Sequence, residues 1–312
     1  MLESTPLPVS QRLDVAFLGL GVMGYPMAGH LAKAGHRVHV YNRDVKKTEA
    51  WMNEYSSYNV KDAKTPADAV ANAKIVFTCV GNDAALRDVC LGSLQTNNSR
   101  LGSGAFMAMK PGSIVVDHST TSVEVAKELS QIAQSRSLAF VDAPVSGGQA
   151  GAQNGVLTVM CGASSETFNF IQPVAMAFSR AVTLMGDVGA GQTTKMVNQI
   201  CIAGLVQALS EGLAFAEKAG LDANLVLEVI SKGAAQSWQM ENRGKTMVAN
   251  KFDFGFAVDW MRKDLGIAME EAKNNGSDLP ITKIIDGYYA DVQKNGGNRF
   301  DTSSLITRLK KK

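Results

Sequence analysis

The chain has 312 residues, of which 46% are hydrophobic and 19% are charged, and its net charge is +2. This length predicts two domains, and this composition excludes a disordered chain, while the near balance of charges excludes a nucleic-acid-binding protein. Four scattered cysteines without a CxxC pair exclude a disulfide framework and predict no metal site. Because we find neither an N-terminal signal region nor an uninterrupted apolar run of about 20 residues, we expect a cytoplasmic protein with no membrane partner.

Short apolar runs rich in β-branched residues alternate with amphipathic stretches through the first half of the chain. The predicted strands are Val15–Leu18, Arg37–Tyr41, Ile75–Val80, Ser113–Asp117 and Leu138–Asp142. Such alternation predicts a parallel sheet with right-handed crossovers. Two later runs, Val156–Met160 and Val182–Met185, are expected to extend the same sheet.

From Gln192 to Gly220 the apolar residues keep helical spacing, which predicts one long helix. The remainder contains amphipathic stretches with little β-branched alternation. The predicted fold class is therefore α/β, with an N-terminal Rossmann-type doubly wound sheet, a long interdomain helix and an all-helical C-terminal domain. We expect the first domain to span residues 11–188 and the second to span residues 189–309.

A glycine-rich loop follows the first predicted strand and precedes the first predicted helix. It reads Gly19, Leu20, Gly21, Val22, Met23 and Gly24, which is the GxGxxG pattern. In that context the first glycine permits a tight turn, the second lets the backbone approach a pyrophosphate, and the third allows close packing of helix on strand. The loop therefore predicts a dinucleotide cofactor, held at the N-terminus of a helix that favours anions.

The end of the second strand bears on which dinucleotide is bound. An NAD-selective fold places an acidic residue there to hold the ribose 2′-hydroxyl, whereas this chain has Asn42 and Arg43. An amide and a guanidinium favour a 2′-phosphate, and hence NADP over NAD. Two alternatives stay open: Arg43 is a solvated strand-end residue, and Asp44 either caps the next helix or is itself the ribose acid.

Two further segments carry candidate chemistry. Ser146, Gly147 and Gly148 follow the fifth predicted strand, where small residues expose backbone N–H groups that can hold a carboxylate, although a plain turn has the same composition. Lys195 lies on the first turns of the long helix among apolar and amide neighbours, which indicates a half-buried cleft position suited to proton transfer. The alternative stays open, because a lone lysine early in a helix is usually solvated.

Three co-linear segments, Gly19–Met27, Asp142–Gly148 and Gly189–Gln199, resemble the signature motifs of the β-hydroxyacid dehydrogenases. That family includes 3-hydroxyisobutyrate dehydrogenase, tartronate semialdehyde reductase and succinic semialdehyde reductases. The resemblance runs from about Leu13 to Ile306. It implies NADP(H)-dependent interconversion of a small β-hydroxy acid and its semialdehyde.

The resemblance also assigns roles to individual residues. It implies that Lys195 protonates the carbonyl oxygen during reduction and removes the hydroxyl proton during oxidation. The substrate carboxylate is expected at Ser146, Gly147 and Gly148, with Gln199 in the place of the family's asparagine and Asn198 beside it. The residues that it implies for cofactor contact beyond the glycine loop are Val80, Thr120 and Lys263. The helical domain is expected to form a homodimer or homotetramer.

Two other functions are compatible with the same fold. An imine or glyoxylate reductase would keep the glycine loop and Arg43, but imine reductases usually lack the catalytic lysine, so Lys195 argues against that function. A non-enzymatic cofactor-sensing homologue would tolerate loss of Lys195 or Ser146, and neither residue is lost.

Overall fold

A computed structural model of the chain describes residues 12–93 and 104–310. Residues 1–11, 94–103 and 311–312 lie outside the described part of the chain. The chain divides into two compact units, Met1–Lys195 and Met196–Lys312. A long helix, α9 (Ala190–Lys218), begins in the first unit and continues into the second. The domain bounds drawn from the sequence, 11–188 and 189–309, stay a prediction.

The first unit is built on one mixed sheet of nine strands, counted over the described residues. The strands are β1 (Asp14–Leu18), β2 (Arg37–Tyr41), β3 (Val60–Asp62), β4 (Ile75–Thr78), β5 (Ile114–Asp117), β6 (Ala139–Asp142), β7 (Val145–Ser146), β8 (Leu157–Gly162) and β9 (Ser179–Gly186). They lie in the order β3-β2-β1-β4-β5-β6-β8-β7, and β9 pairs with β8.

Strand direction separates the sheet into two parts. The six strands from β3 to β6 are parallel, and their order reverses between β1 and β4, as in a Rossmann fold. Strand β8 runs antiparallel to β6 and β7 and parallel to β9. The predicted fold class is confirmed, and every predicted strand is present. The sheet is not wholly parallel as predicted, because β8 runs antiparallel to β6 and β7, and the short strands β3 and β7 were not predicted.

Helices cover both faces of this sheet. They are α1 (Gly24–Lys33), α2 (Val45–Glu54), α3 (Pro66–Val70), α4 (Asp83–Leu91), α5 (Ala105–Ala108), α6 (Val123–Gln134), α7 (Gly148–Gln153) and α8 (Ser165–Ala175). Alternate side chains of β1 enter separate apolar cores, with Val15 and Phe17 in one and Ala16 and Leu18 in the other. This period of two is what a strand buried on both faces requires.

The second unit is helical, as predicted. Beyond α9 it contains α10 (Ala223–Ile230), α11 (Trp238–Val248), α12 (Val258–Asn275) and α13 (Pro280–Lys294), followed by a 3-10 segment, Thr302–Arg308. Asp222 and Ser237 cap α10 and α11 by accepting hydrogen bonds from backbone N–H groups of the first turn. The apolar faces of these helices pack into two cores, one around Leu265 and Tyr289 and one around Leu213 and Met247.

Helix α9 is long and apolar enough to cross a membrane by length and composition, and it is the one such helix in the described part of the chain. Its most apolar window has a mean hydropathy of 1.4, and half of that window is buried within the protein. The sequence search for uninterrupted apolar runs missed it because polar residues such as Gln199 and Gln207 interrupt the run. Core helices of soluble proteins have the same composition.

Candidate active site

Four segments of the first unit leave the sheet at one edge. Strands β1, β4, β5 and β6 are parallel and in register, so their last residues, Leu18, Thr78, Asp117 and Asp142, form a row. Beyond this row follow the glycine loop, Val80, Thr120 and Ser146–Gly148. Open α/β sheets bind ligands outside the carboxyl ends of their strands, near the point where the strand order reverses. The fold thus brings the predicted residues of this unit to the edge where a ligand is expected.

The glycine loop has a shape that fits a dinucleotide. Gly19 has a φ of +106°, in the left-handed region that favours glycine. A Cβ at Gly24 would lie 2.8 Å from the Phe17 ring and would also collide with the Gly19 carbonyl, so only glycine lets α1 begin this close to β1. A Cβ at Gly21 would meet no atom within 4 Å. The N-terminus of α1 has no side-chain cap, so bare backbone and a helix N-terminus face the space that a pyrophosphate would take.

Asn42 braces this loop from the end of the second strand. Its Oδ1 accepts a hydrogen bond from the backbone N–H of Leu20 at 2.9 Å, and its Nδ2 donates to the carbonyl of Asp44 at 3.0 Å. The Asp44 carboxylate caps α2 by accepting from the backbone N–H of Lys46 at 3.1 Å. Arg43, between them, is exposed. The structure thus has two of the features that the sequence left open as alternatives, Asp44 as the cap of α2 and Arg43 as an exposed residue at the strand end.

Val80 and Thr120 lie on segments joined through Ser119. The backbone N–H of Val80 donates to the Ser119 hydroxyl at 2.8 Å, and the Ser119 N–H donates to Asp117 Oδ1 at 3.1 Å. The Thr78 hydroxyl donates to the same oxygen at 2.6 Å. Burial raises the pKa of Asp117 to about 6, although these hydrogen bonds favour the ionised form. The segments after β4 and β5 are therefore held together by one buried carboxylate.

Lys195 lies directly beside the segment predicted to hold a carboxylate. Its side chain is buried, with an exposed fraction of 8%, and Nζ donates to the carbonyl oxygen of Val145 at 2.9 Å. Ser146 is the next residue, followed by Gly147 and Gly148 with φ values of +128° and +62°. Two consecutive positive φ values are accessible to glycine alone at low cost. The structure thus brings the lysine and the Ser146–Gly148 segment together.

Asp142 is a residue whose role sequence reasoning missed. Its Oδ1 accepts from the backbone N–H of Gly189 at 2.7 Å and its Oδ2 from that of Gln192 at 2.8 Å, so the carboxylate holds the start of α9 against the end of β6. Burial raises its pKa to about 6. The available signal was an acidic residue at the end of an apolar strand, where a charge needs partners.

The predicted residues of the second unit form a polar chain of their own. Asn198 Nδ2 donates to Gln199 Oε1 at 2.7 Å, and Gln199 Nε2 donates to Asp264 Oδ2 at 2.6 Å. Lys263 Nζ lies 3.1 Å from Asp264 Oδ1. Asp264, which the sequence did not single out, therefore links the amides predicted to meet substrate with the lysine predicted to meet cofactor.

His118 is the histidine closest in sequence to a predicted site residue, and it is buried. Its Nδ1 donates to the Ala143 carbonyl at 2.7 Å, and its ring stacks on Phe77. Burial lowers its pKa to about 4. The imidazole is therefore neutral at physiological pH and packs as part of the core.

Comparison with known proteins covers nearly the whole chain. The family model for the NAD binding domain of 6-phosphogluconate dehydrogenase matches residues 14–186, and that for the NAD-binding domain of NADP-dependent 3-hydroxyisobutyrate dehydrogenase matches residues 189–309. An uncharacterized oxidoreductase of Shewanella frigidimarina is 58% identical over 95% of this chain and 98% of its own length. The 2-hydroxy-3-oxopropionate reductase of Escherichia coli is 32% identical over 95% of this chain and 97% of its own length.

A solved structure agrees with these sequence matches. The Mycobacterium tuberculosis 3-hydroxyisobutyrate dehydrogenase, crystallised with L-serine, has a TM-score of 0.83 and 28% identity to this chain. The match covers 96% of this chain and 100% of that one. Both units of the fold therefore have counterparts in a single known enzyme.

Proposed function

Since the chain belongs to the β-hydroxyacid dehydrogenase family of NAD(P)-dependent oxidoreductases, we propose that it interconverts a small β-hydroxy acid and its semialdehyde with NADP(H). The substrate is of the 3-hydroxyisobutyrate, tartronate-semialdehyde or succinic-semialdehyde type. The observation that carries the proposal is the contact of Lys195 Nζ with the Val145 carbonyl, one residue before Ser146. A proton donor and a carboxylate-binding segment then lie side by side.

Each group of this chain has a distinct task in the proposed reaction. The Ser146 hydroxyl and the backbone N–H groups of Gly147 and Gly148 hold the substrate carboxylate. Lys195 donates a proton to the carbonyl oxygen in reduction and withdraws the hydroxyl proton in oxidation. Its bond to Val145 fixes the ammonium group next to the bound carboxylate, so little reorganisation is needed when charge develops on the carbonyl oxygen. A dinucleotide whose pyrophosphate is held by the glycine loop would supply the hydride chemistry through its nicotinamide.

The residues at the end of the second strand support the proposed preference for NADP. The Asp44 carboxylate already caps α2 and Asn42 already braces the loop, while the Arg43 guanidinium is exposed beside them. We propose that Arg43 pairs with the 2′-phosphate. A charged hydrogen bond of this kind contributes about 1.5–3 kcal/mol, which corresponds to about 10-fold or more in affinity. Arg43→Ala should therefore weaken NADPH binding by about 10-fold and leave NADH binding unchanged.

A fluorescence titration of both cofactors tests this prediction. The matched control is Arg136→Ala, which removes an exposed arginine at the end of α6 and should alter neither dissociation constant. Equal loss of NADPH and NADH affinity in Arg43→Ala would contradict the assignment of Arg43 to the 2′-phosphate.

Lys195→Met tests the proposed chemistry, because methionine keeps much of the side-chain length and removes the proton donor. General acid–base catalysis is typically worth about 10²–10⁴-fold. We expect kcat for NADPH-dependent reduction of C2 to C4 semialdehydes to fall at least 10²-fold, while the Kd for NADPH changes by less than about threefold. The control is Lys127→Met, which removes an exposed lysine on α6. Full activity of Lys195→Met at saturating NADPH would refute the role of this lysine.

The same panel separates the remaining functions. Turnover of cyclic imines without turnover of semialdehydes would indicate an imine reductase, and NADPH binding with no turnover at all would indicate a cofactor sensor. The buried amine beside Val145 favours a carbonyl reductase over both, because imine reductases usually lack this lysine and a cofactor sensor needs no proton donor.

A further inference from the structure

Gln192 lies on the first turns of α9, three residues before Lys195, and its side chain is completely buried. Its Oε1 accepts from the backbone N–H of Thr121 at 3.1 Å, and its Nε2 donates to the carbonyl of Ser119 at 2.8 Å. One carboxamide thus pairs with the peptide groups on both sides of Thr120. We infer that Gln192 is a positioning residue that keeps the cofactor-side segment around Thr120 in register with Lys195. This inference rests on the function proposed above.

The segment that Gln192 holds has no regular structure of its own. Residues 118–122 follow β5 and precede α6. The backbone N–H of His118 still donates to the carbonyl of Thr78 at the end of β4, but the peptide groups on either side of Thr120 lie beyond the end of any neighbouring strand. The amide of Gln192 takes the place of such a strand, because it offers one acceptor and one donor with the spacing of a peptide group. Ser119 also connects this segment to the residues after β4, since its hydroxyl accepts from the N–H of Val80.

The start of α9, which carries Gln192 and Lys195, is also held in place. The backbone N–H of Gln192 donates to Asp142, which ties the first turn of α9 to the end of β6. Gln192 and Lys195 are three residues apart on a helix, so their side chains lie on the same face. Lys195 in turn reaches Val145. A short and rigid path therefore runs from Thr120 through the Gln192 amide to the lysine.

The glycine loop and the Ser146–Gly148 segment do not touch this amide. The glycine loop, which would hold the pyrophosphate, and the Ser146–Gly148 segment, which would hold the carboxylate, have their own constraints. Loss of the amide should therefore displace the cofactor-side segment relative to the proton donor, while the groups that hold the pyrophosphate and the carboxylate stay in place. A misplacement of about 1 Å can cost about 10²-fold in rate. The expected signature is a loss in kcat at nearly constant affinity.

Gln192→Met tests this, because methionine has a similar length and cannot make either hydrogen bond. With a semialdehyde of the panel that the wild type reduces, we expect kcat to fall about 30- to 100-fold. The KM for the semialdehyde and the Kd for NADPH should stay within about threefold of wild type. The deuterium isotope effect with nicotinamide-deuterated NADPH should rise, because hydride transfer becomes rate-limiting. The matched control is Gln172→Met, which removes an amide bonded to the carbonyl of Val182, away from the site.

Gln192→Glu supplies a second, pH-dependent readout and keeps the size of the side chain. An ionised carboxylate can accept from Thr121 but opposes the Ser119 carbonyl, whereas the protonated acid can donate to that carbonyl and restore both bonds. The ratio of its kcat to that of wild type should therefore rise as the pH falls from 8.5 to 6, and the ratio for Gln192→Met should not. The titratable neighbours, Asp117, Asp142 and Lys195, are the same in every variant, so the ratio isolates position 192.

The outcomes separate this inference from the proposed function. A wild-type protein that reduces no semialdehyde overturns both. An active wild type with a Gln192→Met kcat within twofold of it, or with a loss confined to NADPH affinity, overturns the positioning role alone. A Gln192→Glu ratio that does not change with pH, measured on variants that bind NADPH normally, overturns it as well.

Discussion

Replacing Asp142 by asparagine tests whether burial or hydrogen bonding dominates at the start of α9. The carboxylate accepts from the N–H groups of Gly189 and Gln192, yet burial raises its pKa to about 6. The folded state therefore binds this proton more tightly than an unfolded chain, in which the pKa is about 3.9. The contribution of Asp142 to stability is complete below about pH 4 and is lost as the pH rises through 6.

The size of the effect follows from the shift in pKa. Raising the pKa from about 3.9 to about 6, at 1.36 kcal/mol per pKa unit, costs at most about 3 kcal/mol at pH 8, and about 1 kcal/mol of it is recovered by pH 5. An asparagine does not titrate, but it presents one carbonyl oxygen and one N–H donor, so it can accept from only one of the two backbone N–H groups. This lost hydrogen bond lowers the stability of Asp142→Asn equally at every pH, whereas the stability of wild type relative to the variant should rise by about 1 kcal/mol between pH 8 and pH 5. Loss of the negative charge also lowers the pKa of the neighbouring Asp117, which acts in the same direction.

Urea unfolding followed by tryptophan fluorescence measures the free energy of unfolding of wild type and Asp142→Asn for the first unit alone. Of the three tryptophans, Trp51 is buried in the first unit, whereas Trp238 and Trp260 belong to the second. When both proteins also carry Trp238→Phe and Trp260→Phe, their tryptophan fluorescence therefore comes from Trp51 alone. The histidines titrate identically in both proteins and cancel. Asp44→Asn, at the exposed cap of α2, gives the baseline for exchanging a capping carboxylate in solvent. A wild type whose stability relative to Asp142→Asn stays the same or falls between pH 8 and pH 5 would refute the reasoning.

The glycine loop and its brace give two further predictions. Gly24→Ala should lower the thermal stability, because its Cβ collides with the Gly19 carbonyl, whereas Gly21→Ala should leave stability within about 0.5 kcal/mol and weaken NADPH binding at least 10-fold. Equal melting temperatures for the two variants would contradict this. Asn42→Ala removes the acceptor of the Leu20 N–H, and we expect the Kd values of NADPH and NADH to rise together by about 10-fold. A rise for NADPH alone would assign Asn42 to the 2′-phosphate instead of to the loop.

Much of the fold could be predicted because the buried strands are uniform in composition. Runs such as Ile75–Thr78 are apolar on both faces and flanked by helical patterns, so periodicity identifies them directly. Strand β3 was missed because Val60, Lys61 and Asp62 include two charged residues at an exposed sheet edge. Strand β7 has only two residues. The direction of β8 depends on its pairing with β7, which an apolar run does not encode.

The candidate site also contains some residues that the sequence could predict and others that it could not. The glycine loop and Lys195 could be found because their chemistry is local, through glycine spacing or a lysine among uncharged neighbours on a helix. Asp142 and Gln192 could not be found, because their partners lie 47 and 71 or more residues away along the chain. A residue that positions others has no motif of its own, and only the folded chain shows which peptide groups it meets.

The contrast between Asn42 and Arg43 has an evolutionary consequence. One of these adjacent residues maintains the conformation of the glycine loop, and the other points its charge into solvent. If Arg43 pairs with the 2′-phosphate as proposed, a substitution at position 43 would change the preferred coenzyme without disturbing how the loop is folded. On that proposal one exposed side chain sets the choice between NADP and NAD, whereas position 42 is constrained whichever coenzyme is used.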